Sequence, residues 1–182
     1  MGGQWGKVGN PPLSLAAPLL NPPPAVAGFK GQAENTIDGK GRVPVPAKMR
    51  KSLSPDAKET FVATRGEGQF VVLFPLDYWE QEIEAGLSRL NNFDQRDREF
   101  IRRLSRWAEE VTMDSQGRIA LPKALAAFAD LTPSSKARII GTFDCIEIWD
   151  PEVNDRHEAG QEMPYADLAR DVMAAPPAAP AL

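Results

Sequence analysis

Ile37-Asp38-Gly39-Lys40-Gly41-Arg42-Val43-Pro44-Val45-Pro46 is written a second time as Met113-Asp114-Ser115-Gln116-Gly117-Arg118-Ile119-Ala120-Leu121-Pro122, 76 residues further along the chain. At that offset Asp38, Gly41, Arg42 and Pro46 fall on Asp114, Gly117, Arg118 and Pro122. The agreement continues on both sides. Glu34 and Thr36 fall on Glu110 and Thr112, and the apolar run from Phe70 to Pro75 falls on Ile146 to Pro151. The repeat is therefore a whole structural unit rather than a chance match of a few residues.

An apolar residue, then Asp-x-x-Gly-Arg, then a β-branched run reads as strand, tight reversal and strand. Gly41 and Gly117 supply the positive φ that such a reversal needs, and the Asp38 and Asp114 carboxylates can accept backbone N–H groups just ahead of them. These four residues are assigned to turn formation. Pro46 and Pro122 stand where helices can begin, so short helices are expected over Ala47 to Leu53 and Lys123 to Ala129. Turn chemistry asks for Asp and Gly but not for the arginine that follows. Its recurrence suggests a task for the guanidinium, and two remain open: an ion pair with the motif's own aspartate, or an anion contact such as a DNA phosphate or a guanine edge.

Phe29-Lys30-Gly31, the first motif, a mid-chain helical pair containing Arg102-Arg103, the second motif and Ile146-Glu147-Ile148-Trp149-Asp150 together resemble the MraZ family over about residues 29 to 158. That family comprises bacterial transcriptional regulators associated with the division and cell-wall gene cluster. The resemblance implies an α+β fold of two tandem swapped-hairpin, AbrB/SpoVT-like β-barrel modules related by pseudo-twofold symmetry, with a helical pair between them. It also implies a ring-shaped homo-oligomer that binds short direct repeats of double-stranded DNA in its own promoter, in the cytoplasm and at the nucleoid. Residue by residue, the resemblance implies that Lys40 and Arg42 carry the DNA-contacting hairpin and that Arg118 holds the equivalent place in the second module; from the local charge, Lys48 and Arg50 are expected to extend the same surface. Residues 1 to 28 have no counterpart in the family pattern, Pro44 replaces a strand residue, and the second module is less basic than the first.

The chain has 182 residues, 42% of them hydrophobic, enough for two small units sharing a core. Its net charge of −4 argues on its face against nucleic acid, but charge is distributed unevenly. Between Asp38 and Lys51, Lys40, Arg42, Lys48, Arg50 and Lys51 face a single carboxylate; between Asp114 and Ala126, only Arg118 and Lys123 do. DNA attraction is thus expected to concentrate in the first module. The single cysteine, Cys145, and single histidine, His157, cannot assemble a Cys/His metal set, and no metal or other cofactor is expected. The apolar stretch Leu13 to Leu20 is interrupted by Pro18 and too short to span a bilayer, so neither a membrane association nor a secretory leader is expected.

Along the chain, the expected divisions are a disordered extension (1–28), a first module (29–75), a helical pair (76–108), a second module (109–158) and an Ala/Pro-rich tail (159–182). Thr60 to Thr64 and Gln69 to Phe74 form a second hairpin around Arg65-Gly66-Glu67-Gly68. Leu76, Trp79, Ile83, Leu87 and Leu90 share one helix face. In the following helix Phe100, Ile101, Leu104, Trp107 and Ala108 form an apolar stripe, and Arg96, Arg98, Arg102, Arg103 and Arg106 fill the remainder. Interleaved acids suggest that this arginine cluster is a structural or subunit-contact face. Cys145 and Trp149 are assigned to the core, and residues 151 to 163 to weak helix.

Three functional classes follow. The leading one is sequence-specific DNA binding by an oligomer that presents repeated hairpins to tandem sites, where avidity amplifies weak single contacts. An antitoxin-type protein-interaction and DNA-binding module is the alternative. The third is an enzyme using Asp38 and Asp114 as an acid–base dyad. It is disfavoured because each aspartate is followed at the same distance by an arginine, and no Ser/His or Cys/His pair supplies a nucleophile.

Overall fold

The computed structural model describes residues 28–174. The disorder expected for the N-terminal extension therefore lies outside the described residues except at Gly28, as does the Ala/Pro run beyond Ala174. The first unit runs β1 (Phe29–Thr36), β2 (Arg42–Pro44), α1 (Ala47–Arg50), a 3-10 turn (Pro55–Ala57), β3 (Thr60–Arg65) and β4 (Val71–Pro75). A helical stretch follows as α2 (Leu76–Tyr78), a π-helical segment (Trp79–Glu84) and α3 (Ala85–Ser88), then α4 (Gln95–Ser105). The second unit is β5 (Glu109–Thr112), β6 (Arg118–Ala120), α5 (Lys123–Phe128), β7 (Lys136–Phe143) and β8 (Ile146–Trp149), followed by α6 (Pro151–Ala159) and α7 (Tyr165–Ala174).

Eight antiparallel strands form one six-stranded sheet, β1-β7-β8-β4-β3-β5, and one two-stranded ribbon, β2-β6. Under the 76-residue repeat β1, β3 and β4 map onto β5, β7 and β8, so the sheet order reads the same from either end. The first strand of each unit pairs with the third strand of the other: Phe29 opposite Phe143 through Thr36 opposite Lys136, and Thr60 opposite Thr112 through Ala63 opposite Glu109. The loops repeat the exchange, with the Ile37 N–H donating to Ser135 O at 3.0 Å and the Met113 N–H to Glu59 O at 2.9 Å. The two units are interlaced, and no ladder among the described residues closes them into a barrel.

Burial explains why the central strands read as unbroken apolar runs. Every residue of β4 is buried, because both faces of the sheet are covered. Phe61, Ala63, Val71 and Leu73 face one core with Val43 and Ile119 of the ribbon, Met49 of α1 and Leu125 of α5. Val62, Val72 and Phe74 face a second core with Trp79, Ile83, Leu104 and Val153 from the helices. Cys145 and Trp149 are buried there too, and burial pushes the Cys145 thiol up to about 12, which keeps it protonated and unreactive.

Helix starts follow local chemistry. Asp94 accepts the N–H groups of Arg96 and Asp97, and Asp150 those of Glu152 and Val153, with Pro151 at the first helical position. Two features differ from the sequence expectation. The helix after Pro75 passes through a π-turn in which the Trp79 indole N–H reaches Glu84 Oε1 at 3.0 Å. The segment after Pro164 is helical through Ala174, although an Ala/Pro tail was expected from residue 159. Proline occurs only before this stretch and beyond it; in between stand good helix formers such as Ala166, Leu168, Ala169, Arg170 and Met173. Each unit thus ends in helices, α2 to α4 after the first and α6 and α7 after the second.

Candidate nucleic-acid interface

The two reversals are superposable in their chemistry. In the first, Gly41 stands at φ 75° and its N–H reaches Asp38 O at 2.9 Å, while Asp38 Oδ1 accepts the N–H groups of Lys40 and Arg42, both at 2.9 Å. In the second, Gly117 stands at φ 72° and its N–H reaches Asp114 O at 2.8 Å; Asp114 Oδ1 accepts from Gln116 at 2.9 Å and Arg118 at 3.0 Å. One carboxylate oxygen of each aspartate is consumed in shaping its turn.

The second oxygen meets the arginines. Arg42 donates from Nε and Nη2 to Asp38 Oδ2, each at 2.8 Å, and its Nη1 lies 3.3 Å from Asp114 Oδ2. Arg118 mirrors this, with Nε at 2.9 Å and Nη2 at 2.8 Å from Asp114 Oδ2 and Nη1 at 3.6 Å from Asp38 Oδ2. The ribbon pairing of Arg42 with Ala120 and Pro44 with Arg118 brings the turns close enough for this crossing. The result is a neutral quartet of two carboxylates and two guanidiniums, with each arginine side chain about a quarter exposed (27% and 24%). Of the two tasks open to the arginines, the ion pair is present, extended to the other unit's aspartate. The residual exposure leaves them reachable from solvent.

The carboxylates respond accordingly. Asp114 is held down to about 2, chiefly by the Arg118 side chain and then by the Arg118 backbone N–H, and Asp38 is lowered chiefly by the Arg42 backbone N–H. A proton-sharing dyad needs one carboxyl raised; here both are lowered, so this pair is not arranged for acid–base work. The lowered values mean the folded protein binds fewer protons than the unfolded chain. The quartet's stabilisation is therefore complete above the ordinary value of 3.8 and lost as pH falls through about 2. Thermal melts followed by circular dichroism should show the melting temperature falling over that window; a flat profile would deny the quartet a stabilising role.

Around this neutral centre the cations are free. Lys40, Lys48, Arg50, Lys51 and Lys58 are exposed, and among the described residues none forms an ion pair. Lys40 sits on the first turn and Lys48 and Arg50 on α1. Arg50 reaches across to the second turn: a Cβ on Gly117 would come within 2.5 Å of its Nη1. Glycine is needed there for its φ, whereas the Arg50 head group is the far end of an exposed side chain and can shift. A cleft of about 310 Å³ opens beside this contact, lined by Arg50, Leu53, Lys58, Glu59, Met113 and Asp114. Sequence reading did not include Lys58 in the site, since it lies outside the repeated motif and only the fold brings it near. The second unit has Gln116, Ala124, Ala126 and Ala127 where the first has Lys40, Lys48, Arg50 and Lys51. On α4, Arg102 and Arg103 both engage Glu99, with Arg103 Nε at 2.8 Å, which neutralises part of that cluster.

A family model described as "MraZ protein, putative antitoxin-like" matches residues 29–103 and again residues 104–173. The chain belongs to the MraZ family. The two matched segments coincide with the two interlaced units, each taken with the helices that follow it. Each matched segment contains one of the two Asp-x-x-Gly-Arg turns. Among the described residues no helix is long and apolar enough to cross a membrane.

Proposed function

We propose that this chain is a sequence-specific, double-stranded DNA-binding regulator of transcription that presents its paired turns to short direct repeats in the promoter of its own gene, within a division and cell-wall gene cluster. The observation that carries this reading is the set of five exposed, unpaired cations, Lys40, Lys48, Arg50, Lys51 and Lys58, grouped around two partly exposed arginines on a rigid ribbon. Such a set supplies sequence-independent phosphate attraction, and the arginines supply base-edge contacts. The exchange of first strands between units supports reading the two as halves of a swapped-hairpin, AbrB/SpoVT-like scaffold. Assembly into a ring of copies is supported by apolar side chains left exposed on α7 and before α4, where Phe93 is 98% exposed. Light scattering on the purified chain reads that assembly directly.

Gel-shift titration on the DNA immediately upstream of the gene tests the function. The full chain is expected to bind it in preference to a shuffled duplex, and direct repeats about one helical turn apart should lie in the protected region. Lys40→Ala is expected to weaken upstream and shuffled duplexes alike and to lower the log–log salt slope by about one. Equal binding of both duplexes by the wild-type chain would reject the sequence-specific reading.

A further inference from the structure

Resting on that reading, we propose that Asp38 and Asp114 are specificity-determining positioning residues: they turn Arg42 and Arg118 from general phosphate hooks into oriented readers of base edges. An unpaired guanidinium grips any phosphate, and it does so equally on every sequence. Arg42 and Arg118 are not in that condition. The Nε and Nη2 groups of each are held by the aspartate of its own turn, and each Nη1 is directed to the aspartate of the other turn.

A phosphate approaching this quartet meets guanidiniums whose charge two carboxylates already cancel, so little of the usual ionic attraction remains. A guanine edge need not displace anything. Arginine carries five N–H donors; in Arg42 the carboxylate contacts engage one on Nε, one on Nη2 and one on Nη1, and in Arg118, whose Nη1 stands 3.6 Å from Asp38, one on Nε and one on Nη2. At least one donor on each Nη remains, on a side chain still about a quarter exposed. Fixing the guanidinium plane through Asp38 and Asp114 also limits which base geometry those donors can satisfy, because a bidentate contact tolerates little tilt.

The distribution of charge around the quartet fits this division. General attraction is supplied by Lys40, Lys48, Arg50, Lys51 and Lys58, none of which is paired. Discrimination falls to the two arginines whose charge is cancelled. The aspartates act through the arginines and need not touch DNA themselves.

Asp114→Asn tests this. The amide oxygen still accepts the Gln116 and Arg118 N–H groups that shape the turn, while the amide nitrogen presents a donor where both guanidiniums require an acceptor. Fluorescence anisotropy on the full chain would measure affinity for the upstream duplex and for a shuffled duplex of equal composition, over a range of salt, after a melt has fixed the folded range. The expected result is tighter binding of the shuffled duplex with a salt slope steeper by about one to two, and a fall of roughly tenfold in the upstream-to-shuffled ratio. Asp38→Asn reads the same ratio through the other turn, and decides the matter where D114N melts below the assay temperature. A wild-type preference that both folded variants retain, or an equal weakening on both duplexes, overturns this assignment alone. Wild-type protein with no preference overturns the DNA reading and this assignment with it.

Discussion

Phe61→Ala is expected to destabilise the protein by about 3–5 kcal/mol, the usual cost of removing a fully buried phenylalanine. Phe61 is wholly inaccessible to solvent and lies between Pro75 of β4 and Val111 of β5, with its ring 6.4 Å from that of Phe29. Those neighbours come from both units. Because a domain of this size is stable by only about 5–15 kcal/mol, the variant should unfold at much lower urea. The shape of the curve carries as much information as its midpoint. The core around Phe61 contains residues of both units, so circular dichroism and tryptophan fluorescence should report one coincident transition in wild type and variant alike. Two separated transitions, or a loss below about 1 kcal/mol, would contradict the interlaced core.

Replacing Lys48, Arg50 and Lys51 together by alanine is expected to reduce affinity for any duplex by roughly a hundredfold near physiological salt and to lower the salt slope by about three. The fold provides its own control. The same positions in the second unit are Ala124, Ala126 and Ala127, on α5, which occupies the equivalent place and buries Leu125 as α1 buries Met49. Three alanines on this short helix are thus already compatible with the architecture, and the melting temperature should change little. The reciprocal graft, Gln116→Lys with Ala124→Lys, should raise affinity on upstream and shuffled DNA together. A triple variant that binds as tightly as wild type would move the contact surface elsewhere on the molecule, with the partly unpaired arginines of α4 as the next face to test.

The repeated motif made much of the fold legible, for specific reasons. Asp38 and Gly41 encode their turn locally, through hydrogen bonds spanning two to four residues, so composition and spacing suffice to read it. The apolar runs of β3 and β4 are local in the same sense. Strand partnership is not. Nothing in Phe29 to Thr36 says that it will lie against Lys136 to Phe143 rather than against its own unit, because that choice is made by burial more than a hundred residues away. The contact of Arg42 with Asp114 across 72 positions was hidden for the same reason. The motif showed each arginine its own aspartate, and the pseudo-twofold repeat could bring the two aspartates together without showing that each arginine would also face the other's. Arg50 over Gly117 and the entry of Lys58 into the site also depend on tertiary placement. The helix through Ala174 was hidden by bulk composition, since the flanking prolines dominated the reading of a stretch that contains none.

The sheet order that reads alike from both ends has a historical implication. A stretch such as residues 29 to 103 alone would leave β1 without its partner and β3 and β4 each without one of their two, and a second identical copy could supply all three; the present chain is in effect such a pair joined by one linker. A pair made of identical copies must carry every substitution twice. Once joined, the halves are free to differ, and cations at Lys40, Lys48, Arg50 and Lys51 against Gln116, Ala124, Ala126 and Ala127 are a specialisation that a pair of identical copies could not carry.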